Sequence, residues 1–192
     1  MRHRSIVLIL LLMVGATPPA GAVAPPQDVD EYQIKAAYVY NFARFVEWPA
    51  GAFADGDAPL RLCVIGKEQF GGYLDTLEAK KIQGRPVTII EPGRSMALVR
   101  TCHVLFVSRS APGGSGVVSG AARYPILTIT ESEDGAGAQG VINLVKAWTG
   151  TNGGSADRFR IVFEIDVAAA RTAGLEVGSR LLELALVRNN TQ

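Results

Sequence analysis

The sequence predicts a single α/β domain built on a mainly parallel sheet with βα units, preceded by an N-terminal amphipathic helix and closed by a C-terminal antiparallel hairpin. Three observations predict it. Between residues 60 and 132, short β-rich runs alternate with short helical stretches, the pattern of right-handed βα crossovers. One run, "HVLFVS", is almost continuously apolar, as a parallel strand buried on both faces must be. Beyond residue 140, "GVINLVKAW" and "RFRIVFEID" are joined only by the Gly- and Asn-rich "TGTNGGSAD", which reads as a hairpin with a long loop at the sheet edge.

A leader comes first. In "MRHRSIVLILLLMVGATPPAGAVAPPQ", Arg2 and Arg4 form a basic start, and Ile6 to Val14 an apolar run too short to span a bilayer. Ala22-Val23-Ala24 is an A-x-A cleavage site. Residues 1–24 therefore read as a secretory signal peptide and residues 25–192 as the domain. The alternative is an uncleaved membrane anchor. No cysteine stands at the cut, which argues against a lipoprotein. The remaining length suits one core. The net charge is +1 and no basic block stands out, so nucleic acid is excluded as a partner.

Taken in order, "IKAAYVYNFARFVEWPA" holds five aromatic residues. At helical periodicity Ile34, Tyr38, Val39, Phe42, Phe45 and Val46 share one face, so the aromatics form the buried stripe of an amphipathic helix. Asp30 is its expected N-cap, and Trp48-Pro49 its end, because the residue before proline avoids the helical region. Lys35 projects close to Val39 and Phe42; it either snorkels or binds something. "LRLCVIG" is then a strand, "KEQFGGYLDTLEAKKI" a helical stretch weakened by two glycines, "RPVTIIE" a second strand and "GRSMALVR" a short helix. "HVLFVS" is the third strand, "SGVVSGAAR" a helix and "PILTITES" the fourth strand. After the hairpin, Asp166 caps a short helix that Gly174 ends, and Ser179 to Val187 form the last helix.

Cys63 lies in the first strand and Cys102 immediately before the third. In the order second–first–third these strands are parallel neighbours, and both cysteines sit toward their N-terminal ends. An exported chain with an even cysteine count favours a disulfide, with two buried thiols as the alternative. Closing a loop of roughly 40 residues stabilises by about 4 kcal/mol in the chain-entropy model.

Catalytic chemistry is sparse. After the leader the only histidine is His103, too few for a two-histidine metal site. No G-x-S-x-G, H-E-x-x-H or phosphate-loop motif occurs, and no catalytic residue, metal or cofactor is expected. His103 either packs beside a disulfide or lowers a free thiol's pKa. "PGGSGVVS" opens a helix after the third strand, where α/β folds bind anions, or is a plain flexible turn; Gly113 to Gly116 carry the small-ligand alternative. "ESED" (Glu131 to Asp134) reads as a solvated turn rather than a cation site. Trp148 is either core or an interface anchor.

The stretch from Lys35 to Pro49 resembles the signature of the YfiR family of periplasmic proteins, roughly K-A-A-[FY]-[LV]-Y-N-F-A-[KR]-F-[VT]-E-W-P, through Lys35, Tyr40, Asn41, Phe42, Phe45, Glu47, Trp48 and Pro49. The cysteine spacing, "GVINLV" and "FRIVFEIDVAAARTAGLEVGSRLLELA" extend the resemblance over nearly all of the domain. It implies a periplasmic, non-catalytic repressor that binds the periplasmic part of an inner-membrane diguanylate cyclase, or of another sensor, and lowers cyclic di-GMP. It also implies an outer-membrane lipoprotein as a second partner, with pairing to another copy left open. This chain has one cysteine pair where some members have two, and its loop from Thr149 to Asp157 is longer than usual. Both departures bear on redox control and partner choice. The contact surface is expected at the hairpin edge, with Trp148 as aromatic anchor and Glu164 and Arg171 fixing orientation.

Overall fold

The computed structural model describes residues 30–66, 70–133, 140–148 and 159–188. The expected signal peptide, the Thr149–Asp157 loop and Asp134 lie outside the described residues. The chain forms helix α1 (Glu31–Phe45), strands β1 (Val46–Glu47) and β2 (Leu60–Ile65), α2 (Asp75–Glu78), β3 (Lys81–Ile82) and β4 (Arg85–Ile90). Next come α3 (Met96–Val99), β5 (Val104–Val107), α4 (Gly114–Ala121) and β6 (Leu127–Glu133). The C-terminal part holds β7 (Ile142–Trp148), β8 (Phe159–Asp166), α5 (Val167–Thr172), β9 (Glu176–Val177), α6 (Ser179–Leu184) and β10 (Leu186–Arg188).

Eight strands form one sheet in the order β10-β8-β7-β6-β5-β2-β4-β3, and β1 pairs with β9 in a small second sheet. The run β4-β2-β5-β6-β7 is parallel throughout, and β7 and β8 form the expected antiparallel hairpin. Alternation along the strands divides the core into two. Leu62 and Val64 of β2, Phe106 of β5 and Ile129 of β6 face α1. Cys63, Ile65, Leu105 and Val107 face the opposite way, against Val99, Val117, Val118 and Ala121 of α3 and α4. The expected strand order holds, and Cys63 and Cys102 are disulfide-bonded with Cα atoms 5.8 Å apart. No free thiol is therefore left for His103 to activate.

Four details differ from the sequence expectation, each for a local reason. Helix α1 ends at Phe45, before the Trp48-Pro49 stop. Its last carbonyls are taken by tertiary donors: Gln83 Nε2 donates to Val46 O at 2.8 Å, and Gly178 N–H donates to Phe45 O at 2.8 Å. The chain then runs extended to pair with β9. Second, the helix expected around residues 67–82 shrinks to α2, because Lys81–Ile82 folds back on Arg85–Pro86. The turn is Gln83–Gly84, both with positive φ (51° and 81°), the two-residue hairpin geometry that normally selects Asn or Gly. Third, the last helix stops at Leu184. Leu186–Arg188 instead adds a parallel strand outside β8, opposite Glu164–Asp166, so that end of the hairpin is not the sheet edge. Fourth, Phe45 is only partly buried, whereas Phe42 is fully buried.

The return from β6 to β7 is shorter than a usual parallel crossover, which takes a dozen or more residues. The side chains of β6 make it fit. Thr128 Oγ1 accepts the Val141 N–H at 2.9 Å and Thr130 Oγ1 the Gly140 N–H at 3.2 Å. A Cβ at Gly140 would lie 2.6 Å from Thr128 O, so this position requires glycine.

Candidate functional site

The two ends of the Lys35–Pro49 stretch do different work. At the start, Asp30 caps α1 by accepting the Tyr32 N–H at 2.8 Å. Lys35, one turn further on, is buried at 3% exposure and does not snorkel. Its ammonium donates to Glu131, whose side chain is 1% exposed, and to Glu31 at 2.5 Å. Lys146 on β7 reaches the other oxygen of Glu31 at 2.7 Å. Glu131 also accepts from Tyr32 Oη at 3.0 Å, Ser108 Oγ at 2.9 Å and the Arg109 N–H at 3.0 Å. The "ESED" reading as a solvated turn is therefore overturned at its first residue. Glu131 lies within β6 and is buried, and Ser132 beside it is buried too.

Burying a carboxylate and an ammonium costs several kcal/mol per ion unless both are paired and hydrogen-bonded. Here they are. For Glu31, burial pushes the carboxyl up, but the hydrogen bonds from Lys146 and Lys35 outweigh it and hold the pKa below the ordinary value. Burial, then the charge of Glu131, raises the Tyr32 phenol well above its usual range. The cluster sits at the carboxyl ends of β5 and β6, where open α/β sheets bind ligands. In this chain the Arg109 N–H and the Ser108 hydroxyl of that βα turn already serve Glu131. The Gly113–Gly116 turn that follows starts α4 with Gly113 at φ 71°.

At its other end the stretch lines a cleft of about 770 Å³, walled by Arg44, Glu47, Trp48, Phe53, Gln83 and Arg85. Arg44, Glu47 and Pro49 are exposed, and Phe45 and Trp48 are half-buried. Tyr40 lies beside the cleft with Lys80 4.7 Å and Arg44 5.6 Å from its ring; Asn41 is exposed. Phe42 instead points inward, 4.8 Å from Phe163. Phe53 carries the cleft wall. The Arg85 guanidinium lies 3.9 Å from its centroid and the His103 ring 4.1 Å away, nearly parallel. Two groups that close cannot share one face, so Phe53 is sandwiched.

His103 ties this wall to the sheet. Its Nδ1 accepts the Arg61 N–H at 2.9 Å. The ring proton is then on Nε2, which donates to Ala52 O at 3.1 Å. Trp48 Nε1 donates to His103 O at 3.2 Å. Burial lowers the imidazole pKa, as do Arg61 and Arg85, while the Ala52 hydrogen bond opposes them.

The hairpin residues do not form one patch. Trp148 is in register with Phe159, and Glu164 with Asn143, five rows and roughly 17 Å along the strands. Asn143 Nδ2 donates to Glu164 at 3.5 Å. Arg171 is on α5, beside a hollow of about 230 Å³ lined by Val167, Ala170, Val177 and Leu182. Sequence reasoning missed Glu131, Phe53, Gln83 and Arg85. Only the β-period of "LTITE" offered a signal, since it puts Glu131 on the face of Leu127 and Ile129.

These features define a disulfide-bonded, doubly wound α/β domain whose longest motif both anchors the first helix and opens a surface cleft. Among the described residues no helix is long and apolar enough to cross a membrane. The profile of the YfiR/HmsC-like family, DUF4154, matches residues 32–186. The chain belongs to that family. No curated protein matches it. YfiR-like proteins are regulators that bind partner signalling proteins.

Proposed function

We propose that this protein is exported to the periplasm, with residues 1–24 removed as a signal peptide, and represses an inner-membrane diguanylate cyclase by direct contact. Repression lowers cyclic di-GMP, and no catalytic step by this chain is involved. Family membership over residues 32–186 carries the reading. The motif cleft adds a contact surface. Arg44, Glu47 and Pro49 are solvent-facing, and an exposed charged rim around the half-buried Trp48 suits an aromatic anchor. Trp148, Glu164 and Arg171 are the competing candidates, as separate points on the hairpin and α5 rather than one patch, and an outer-membrane lipoprotein is the second partner that the family suggests. The small-ligand reading is weaker at the Gly113–Gly116 turn, because the neighbouring Arg109 N–H is engaged by Glu131.

Deleting the gene is expected to raise cyclic di-GMP, and an exported copy to restore it, whereas a copy without residues 1–24 fails. Tagged protein is expected to retain a cyclase from detergent-solubilised membranes. The double charge reversal Arg44→Glu, Glu47→Arg should reduce that retention without moving the unfolding midpoint, and Glu164→Ala, Arg171→Ala should not. Unchanged cyclic di-GMP together with retention of a different sensor refutes the cyclase. Retention of no membrane protein refutes the regulator reading in favour of ligand binding.

A further inference from the structure

We propose that His103 is an acid-sensitive latch on the motif cleft: a second proton on its imidazole releases the Ala52–Phe53 wall. The geometry carries the inference. His103 N–H donates to Arg61 O, and the Arg61 N–H donates back to the ring at Nδ1. The imidazole thus continues the β2–β5 ladder at its first rung. Protonated Nδ1 is a donor facing a donor, so the Arg61 N–H loses its acceptor. An unpaired, part-buried backbone N–H is unfavourable, and the ring must turn away to relieve it. Turning breaks the Nε2–H bond to Ala52 O and the stack on Phe53. The loop from Pro49 to Pro59 then keeps its own turns and the two bonds from Arg85 Nη1 to Asp55 O and Ala58 O.

The charges that face the ring all oppose a second proton. Arg61 comes from β2, Arg85 from β4 across Phe53, and Arg100 from the end of α3 into the hollow beside His103. No carboxylate is among the residues lining that hollow. On the loop, Asp55 accepts the Asp57 N–H. Consistent with this, the folded-state pKa lies below the ordinary 6.5. A histidine depressed on folding contributes stability in full above that unfolded value, and loses it as pH falls through the folded one.

That acid would act on partner binding rests on the cleft being the contact surface; the latch itself does not. The test is an NMR titration of labelled, exported protein from about pH 8 to about pH 5, a range that brackets the imidazole. His103 is its one histidine after the leader, so the ring signal is unambiguous. The imidazole should titrate below 6.5, and the Arg61 amide, the Ala52–Ala58 amides and the Trp48 indole should move with the same midpoint. Phe53→Leu, which weakens the stack but keeps the ring bonds, should raise that midpoint. An imidazole that titrates at its ordinary value, or one whose titration leaves the Arg61, loop and Trp48 signals still, overturns the latch. Retention of the membrane partner above and below the midpoint is a separate arm. Indifference there, with the shared midpoint intact, leaves the latch standing and removes the cleft as contact surface.

Discussion

Replacing Lys35 by Met distinguishes a buried ion pair from a snorkelling side chain. Met keeps the length and apolar stem of lysine, so a snorkelling residue would lose little. In the structure the ammonium is 3% exposed and faces a carboxylate with 1% side-chain exposure. Removing it leaves Glu131 buried with three neutral donors and no cation. Breaking a buried pair from one side costs about 3–5 kcal/mol, a large part of the roughly 5–15 kcal/mol that holds a domain folded. At about 2–4 °C per kcal/mol for a chain of this size, the melting temperature should fall by roughly 6–20 °C. Urea unfolding with an unchanged slope would assign the loss to stability rather than to a changed unfolded state. The double variant Lys35→Met, Glu131→Gln has no buried charge left, and its amide can still accept from Tyr32, Ser108 and Arg109. It should be more stable than the sum of the singles predicts, by about 0.5–3 kcal/mol. A Lys35→Met protein that loses less than about 1 kcal/mol, the range of an exposed pair, would refute the buried-pair account.

Two further outcomes test the packing. Phe42→Ala should cost about 3–5 kcal/mol, as a buried ring in contact with Phe163 does, while Phe45→Ala should cost clearly less in the same denaturation series, because that ring is only partly covered; equal losses would contradict the cleft. Replacing Cys63 and Cys102 together by Ala should lower stability by about 4 kcal/mol in the chain-entropy model, read as a lower urea midpoint. A variant as stable as the oxidised parent would show that the bond contributes nothing on balance.

Strand order was legible because it rests on coarse signals. The continuous apolar run of "HVLFVS" and the placement of Cys63 and Cys102 fixed the central neighbours without any knowledge of the rest. Boundaries set by distant partners were not legible. Nothing within Glu31–Pro49 says that Gln83 and Gly178 will take the carbonyls at the end of α1. Nor does "GLEVGSRLLELALV" say that its last residues will leave the helix to pair with β8. The turn at Gln83–Gly84 was hidden for a related reason: Gln is not a usual residue at positive φ, and its side chain is held by α1. The candidate site was half legible. The motif marked the residues from Arg44 to Pro49, but the wall opposite comes from Phe53 in a polar break and Arg85 at a strand start. The charge cluster was not legible, because the acidity of "ESED" points to solvent and only the strand period turns Glu131 inward.

The division of the motif bears on what a family signature can say. Lys35, Val39 and Phe42 are buried; Lys35 pairs with Glu131 of β6 and Phe42 packs on Phe163 of β8. Folding alone accounts for that part of the stretch. Arg44, Glu47 and Pro49 are exposed and satisfy no core requirement, so packing does not explain why they continue the same motif. Trp48 joins the two parts, since its indole bonds the backbone of His103, next to the disulfide. A change at the cysteine pair or at His103 therefore reaches the cleft through Trp48, Ala52 and Phe53 rather than through the whole core. The physical consequence is separability. Substitutions on the inward face of α1 should act on stability, and those on the exposed rim on partner retention. Substitutions at Trp48 or His103 should act on both.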